Sequence, residues 1–313
     1  MSRRLALFQA HVAVLFMGIT AVIAEISGFE PWRTTAYRVS LGGLVLIVLW
    51  FLRTPRRRPD LRKLALFFGL GMLLAFHWFA FFRSIRLLGV LSGCALIGLE
   101  PLFIAIAAAL FLGERISRIQ KLSLFLSLSG FALLGSSGGL DQPFWVQGVL
   151  WALFAYASFA LLTLANRVLV QRESPLLLTA VEMLGATPLA LFMTPSPWLP
   201  TSFRDLGFAL FFGILCTGLA WSLYNASMRV LSSPVVGLLL SLEVVYGMLG
   251  GWLLGESLAP VQAIALVLIA NILLLDLWSY GVWRWRVIRG KSPPPPDLPD
   301  PCPAMPRIER DSP

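Results

Sequence analysis

Long apolar runs separated by short polar breaks dominate the chain. Ten stand out, at 5–24, 33–52, 64–83, 87–112, 118–137, 144–165, 175–194, 205–227, 233–254 and 260–280. Each is close to the roughly 20 residues that a helix needs to cross a bilayer. The runs are too long and too uniformly apolar for the alternating strands of a closed barrel. The pattern predicts an all-α integral membrane protein with ten transmembrane helices. The first run follows Ser2-Arg3-Arg4 and contains Val22-Ile23-Ala24, in the manner of a signal peptide. Its length exceeds a typical signal core and nine further runs follow, so it is read as a span.

Composition agrees with the pattern. Of 313 residues, 58% are hydrophobic and only 13% charged, too few to coat a soluble domain. The net charge of +9 raises nucleic acid as a partner, and the placement of the charges argues against it. With a cytoplasmic amino terminus, only Arg33, Arg83, Arg86 and Arg204 fall on outer loops and Arg38 falls inside a span. The rest of the 25 Lys and Arg lie on inner segments, such as "RTPRRRPDLRK" (53–63). That is the positive-inside bias of a multi-pass inner-membrane protein with both termini in the cytoplasm. Cys94, Cys216 and Cys302 are far apart and form no disulfide or metal pattern.

The chain also repeats itself. Trp78 and Trp221, Ser84 and Ser227, Arg86 and Arg229, and Glu100 and Glu243 are each 143 residues apart. A constant offset across polar and aromatic landmarks marks an internal repeat. Each half holds five spans. Five is odd, so the second half enters the membrane inverted. The expected organisation is two inverted five-helix repeats, 1–137 and 138–282, with a basic, Pro-rich, disordered cytoplasmic tail at 283–313. Inverted repeats are typical of secondary transporters, whose site lies near the midplane between the halves.

The residues that carry a family likeness are "PLFIAIAAALFLGERIS", "AYRVSLGGLVLIVL" (36–49) and "LAFHWFAFFRSIRLLGVLSG" (74–93). With the five-plus-five repeat, they resemble the EamA branch of the drug/metabolite transporter superfamily over roughly residues 5–280. The resemblance implies a ten-helix transporter, more often an exporter. Family members export amino acids, nucleosides, dyes and opine-type metallophores, and some take up vitamins or S-adenosylmethionine. The chain departs from the commoner pattern at Glu243-Val244, where many members carry proline, and at Glu182, an additional acid.

Charge inside a bilayer costs roughly 2.5–3.5 kcal/mol per group on insertion scales, so such residues should face protein or a water-filled path. Arg38, Glu100, Glu182 and Glu243 are the intramembrane charges singled out. Glu100 precedes Pro101, which disturbs the preceding turn and frees carbonyls. Arg38 suits a substrate carboxylate, or equally a structural pairing with Glu25, Glu100 or Glu182. Glu243 shares a helix face with Tyr246 and Gly250 and suits a proton or a substrate ammonium. Gly247 and Gly251 suit close helix packing. His77, Trp78, Trp221, Asn225 and Tyr37 complete the candidate set. His11 is a weaker candidate, and Glu114 and Glu256 close their spans in a structural or gating position.

No Walker motif appears, and no HExxH or GxSxG, so direct ATP use and enzymatic chemistry are not expected. A membrane scaffold or sensor would leave the buried acids idle. No cofactor and no metal are called for. The expectation is a proton-driven exporter of a small zwitterion, an amino acid or a derivative such as an opine-type metallophore. The alternatives are an importer of a vitamin or nucleotide-like cofactor, or an exporter of drugs or aromatic cations.

Overall fold

The structure is a computed structural model and describes residues 2–53, 60–113, 118–134, 144–231, 233–257, 259–269 and 271. Every one of the ten apolar runs meets a helix. We number them α1 (Arg3–Ser27), α2 (Pro31–Arg53), α3 (Leu61–Leu88), α4 (Val90–Phe111), α5 (Arg118–Leu134), α6 (Trp145–Leu169), α7 (Pro175–Met193), α8 (Phe203–Ser227), α9 (Ser233–Leu253) and α10 (Pro260–Ile269). Among the described residues, seven are long and apolar enough to cross a membrane: α1 to α4 and α6 to α8. α5 and α10 are shorter as described, and of α9 the stretch Leu242–Leu253 stands as a shorter apolar helix. Helices are what such a sequence must form, since a bilayer core offers backbone N–H and C=O groups no water. The outward surface is apolar, with Leu44, Phe51, Leu110, Phe125, Leu150 and Phe192 exposed. The basic loop at 54–58, Glu114 and the Pro-rich tail lie outside the described residues.

The helices alternate in direction, and polar contacts collect at two opposite ends. The end that holds Ser2 is the near end. There Lys63 pairs with Glu173, and Gln171 donates to the Met228 carbonyl. At the far end Arg33 donates to the Pro195 carbonyl and Arg204 to that of Ile26. Helix starts are capped by local oxygens: Ser2, Asp60 and Ser174 at the near end, Ser202 at the far end. Each cap satisfies a backbone donor that the helix leaves free.

The repeated landmarks do equivalent work at opposite ends. Ser84 donates to the Phe81 carbonyl at 2.7 Å, and Ser227 to that of Tyr224 at 2.7 Å. Arg86 binds the Gly28 carbonyl just past α1. Arg229 binds the Val170 and Glu173 carbonyls just past α6. Trp78 and Trp221 meet edge to face, 5.4 Å between centroids. The halves interlock: α2 packs on α7 and α8, α3 on α6 and α7, and α9 on α1 and α4. The interior is therefore made almost wholly of contacts between repeats.

Glycine sets how closely some helices approach. A Cβ on Gly251 would lie 2.8 Å from the Leu91 nitrogen, and one on Gly247 2.5 Å from the Cys94 sulfur. This is the close α4–α9 packing expected from the small pair. At that seam Gly89 turns the chain with φ +81°, and Glu256 from the end of α9 accepts from the backbone N–H groups of Val90 at 2.9 Å and Leu91 at 2.6 Å. A carboxylate from one half thus caps the first turn of a helix in the other.

Candidate functional site

A narrow cavity lies between the halves, lined by Met17, Thr20, Arg38, His77, Trp78, Phe81, Glu100, Phe159, Trp221 and Glu243. Helices α1 to α4 supply seven of these residues, and α6, α8 and α9 one each. Six of the ten residues predicted for the site are among them: Arg38, His77, Trp78, Glu100, Trp221 and Glu243.

Arg38 is held by α8 (exposure 3%). Its Nε donates to the Thr217 hydroxyl at 2.9 Å and its Nη2 to the Cys216 carbonyl at 3.2 Å. Residues Phe211–Leu219 form a π-helical stretch, wider than an α-turn, and such stretches free backbone carbonyls from the regular ladder. Gly42 and Gly213 let α2 and α8 approach: a Cβ on Gly42 would meet the Gly213 carbonyl at 3.0 Å. The guanidinium lies over the Trp78 ring at 3.9 Å and near Phe82 at 5.4 Å. A desolvated cation over an indole face is stabilised by roughly 2 kcal/mol. Among the described residues no carboxylate comes within 4.0 Å of it, so the structural pairing with Glu25, Glu100 or Glu182 is not formed.

Glu100 begins the helical turn after a tight 3-10 stretch, Ile97–Leu99, consistent with the disturbance expected from Pro101. It is buried, and its Oε2 has no hydrogen-bond partner. Glu243 faces the same cavity from α9, half-buried. The repeated acids therefore meet, one from each half, in a space that also holds Arg38. Buried carboxyls without hydrogen-bond partners are costly, and their cost is offset when a ligand or a proton satisfies them. His77 Nδ1 contacts the Ala155 carbonyl at 2.8 Å, and its ring leans on Phe159. Phe159 and Trp221 (centroids 6.0 Å) form the aromatic wall of the cavity, with Tyr224 behind them.

Four predicted residues lie elsewhere. Tyr37 packs edge to face on Phe29, 5.3 Å away. Tyr246 is pressed against Gly18 of α1, where a Cβ would come within 2.7 Å of its own. Glu182 and Asn225 sit in a separate buried cluster towards the near end. There Asn166 Nδ2 donates to Glu182 Oε2 at 3.3 Å, and Asn225 Nδ2 to the Thr179 hydroxyl at 2.8 Å. His11, on the outward surface, contacts only its own helix, at the Leu7 carbonyl.

The sequence reading missed Met17, Thr20, Phe81 and Phe159 as lining residues, and Thr217 as the anchor of Arg38. A signal for some of them was available. Thr20 and Thr163, Phe16 and Phe159, and Phe81 and Tyr224 are also 143 residues apart. They extend the same repeat that located the acids. Nothing in the sequence pointed to Thr217, which finds Arg38 only through the α2–α8 contact.

The cavity sets a guanidinium and two carboxyls beside aromatic faces, the chemistry that suits a carboxylate and an ammonium. Comparisons with known proteins identify the family. The model of the EamA-like transporter family matches twice, at residues 4–136 and 146–275. The uncharacterized transporter YwfM of Bacillus subtilis (strain 168) is 28% identical over 260 residues, which is 80% of this chain and 86% of the relative. An uncharacterized transporter of Archaeoglobus fulgidus is 26% identical over 254 residues, 73% of this chain and 86% of its own. A solved crystal structure shares the fold with a TM-score of 0.65 at 22% identity, covering 89% of this chain and 99% of that one. With two copies of one family model spanning most of its length, the chain belongs to the EamA-like transporter family, as a multi-pass membrane transporter built from a duplicated unit.

Proposed function

We propose that the protein is a secondary transporter of the cytoplasmic membrane that exports a small zwitterion, an amino acid or an amino-acid-derived compound such as an opine-type metallophore. The observation that carries this reading is the joining of Arg38 with Glu100 and Glu243 in one inter-repeat cavity. Arg38 takes the substrate carboxylate through guanidinium N–H groups, and the acids take its amine. The two halves, 1–137 and 138–282, rock about the cavity, opening it first to one face and then to the other. Arginines are sparse at the far end, which favours a cytoplasmic near end carrying both termini. The proton-motive force drives the cycle: Glu100 or Glu243 takes a proton in exchange for the substrate amine.

A second reading, export of an aromatic cation, is favoured by one feature, the Trp78, Trp221 and Phe159 rings that line the same space. Efflux separates the two. Cells loaded with radiolabelled amino acids, metallophores or aromatic cations are compared for wild type, Glu100→Gln and Glu243→Gln at equal surface expression, with and without a protonophore. The proposal expects zwitterion efflux that falls at least tenfold in either variant and on collapse of the proton gradient. Normal efflux in both variants would overturn the role of the acids. Selective efflux of aromatic cations would establish the second reading.

A further inference from the structure

We propose that α6, α7 and α8 hold a second binding site, separate from the central cavity, for a small hard monovalent cation of the sodium class. Thr163 and Asn166 lie one turn apart on α6, Thr179 and Glu182 one turn apart on α7, and Tyr224 and Asn225 adjacent on α8. All six are buried to at least 93%. Three of their oxygens lack a hydrogen-bond partner, Asn166 Oδ1, Glu182 Oε1 and Asn225 Oδ1, and the hydroxyls of Thr163 and Tyr224 pair with each other, keeping lone pairs free. Buried polar atoms are nearly always satisfied, so three unsatisfied oxygens, one on each of three neighbouring helices, point to a ligand that accepts lone pairs.

The orientation of Asn225 is fixed by chemistry. Thr179's single hydroxyl proton goes to the Pro175 carbonyl at 2.8 Å, so this oxygen can only accept from Asn225. Asn225 must therefore present its NH2 to Thr179 and turn its carbonyl oxygen away. Asn166 gives its NH2 to the Glu182 carboxyl, which is acceptor-only when ionised, and in that state leaves its own oxygen free. Among the described residues no lysine or arginine pairs with Glu182.

The donor set is one carboxylate and four neutral oxygens, with no histidine or thiolate. Oxygen-only ligands select hard cations over zinc or copper. A single carboxylate neutralises one positive charge, which matches a monovalent ion. The repeat supplies a second argument. Arg38 corresponds by the 143-residue offset to position 181, one residue before Glu182. The first half places a permanent cation in its α2, and the second half places an acid at nearly the same position of α7. A mobile cation completes the second half in the way that Arg38 completes the first. The site adjoins the cavity, since Tyr224 contacts the lining residues Phe159 and Trp221.

The test needs no transported substrate, so it stands or falls apart from the export reading. Purified protein in detergent is titrated with NaCl against choline chloride at constant ionic strength and fixed pH. Thermal unfolding and equilibrium binding of radioactive sodium are both measured. Expected results are a rise in Tm that saturates and binding near one ion per chain. Both are lost in Glu182→Gln, weakened in Asn225→Ala and kept in Glu100→Gln. No sodium dependence in wild type overturns the proposal, as does sodium binding that survives Glu182→Gln. A Tm that responds to pH but not to sodium, and no longer responds in Glu182→Gln, also overturns it, because the site then takes a proton.

Discussion

The Arg38 region and the Glu182 region lie on corresponding helices of the two inverted halves, yet they treat buried charge in opposite ways. Arg38 is anchored by protein on one side, where a hydroxyl, a carbonyl and an indole face hold its guanidinium, and it keeps N–H groups for the cavity. Glu182 has one amide donor and an orphan oxygen, amid other orphan oxygens. One copy of the duplicated unit thus carries its own cation, and the other buries an acid with an oxygen that protein leaves unpartnered. A satisfied charge rigidifies its surroundings; an unsatisfied one makes them responsive to whatever arrives.

The most severe way to break this comparison is to remove the built-in cation. Arg38→Leu strips the Thr217 and Cys216 carbonyl bonds and the substrate carboxylate partner. Losing one member of a buried charged pair costs about 2–5 kcal/mol, so transport should fall roughly 30-fold or more. Arg38→Lys keeps the charge, loses the planar fork, and should recover only part. Sodium-dependent stabilisation should persist in both, because that effect resides in the other half. Efflux and thermal unfolding of the same preparations check the pair of outcomes.

Packing around Glu182 offers the next largest effect. Gly71 of α3 abuts the Glu182 carbonyl oxygen directly, and a Cβ there would collide with backbone. Gly71→Val should destabilise by about 3 kcal/mol, the upper range for overpacking. Gly69→Val is its control, since nothing lies within 4 Å of a Cβ at that position. Thermal unfolding in detergent should separate the two variants clearly. Equal melting temperatures would show that α3 and α7 are less closely apposed than Gly71 requires.

A smaller effect is expected at the far-end seam. Glu256→Gln removes the charge from a carboxylate that caps Val90 and Leu91, and hydrogen bonds to charged groups contribute roughly 1.5–3 kcal/mol each. An amide oxygen still accepts, so a loss of about 1.5 kcal/mol in stability is expected. Because the bond ties α9 to α4, cysteine-labelling access from the far end should also rise. An unchanged labelling rate would confine Glu256 to a capping role.

The smallest effect tests the aromatic pair that spans the pseudo-axis. Trp78→Phe and Trp221→Phe each weaken an edge-to-face contact worth roughly 0.5–1.5 kcal/mol. Trp78→Phe should be the more harmful, because Arg38 lies over that ring alone of the two. The apparent KM for efflux should rise a few-fold in Trp78→Phe and less in Trp221→Phe. The reverse order would place substrate recognition on the α8 side.

Several features were legible in the sequence because they depend on composition and spacing alone. Apolar runs of membrane length fix helices, since the bilayer core satisfies no backbone group. The 143-residue echo fixes the duplication, and an odd number of spans per half fixes its inversion. Glu100 and Glu243 came together as the repeat implied. The position of Glu182 could not be foreseen in this way. Helix α7 is apolar on all sides, so hydropathy gives no rotational phase, and only packing decides whether an acid turns to the central cavity or to its own cluster. Tyr246 shared a face with Glu243 in the sequence, and Gly18 of α1 took that face. Arg38 found its anchors 178 and 179 residues away, on a π-helical stretch with no sequence signature.

The sequence by itself therefore determined the membrane class, the helix runs, the repeat and the presence of buried charge, all of which are local or periodic properties. The tertiary structure alone decided which charges share a cavity, which are satisfied by protein and which keep an atom without a protein partner. Those choices depend on helix rotation and on glycine-controlled approach between two interlocked halves, and no single helix encodes either.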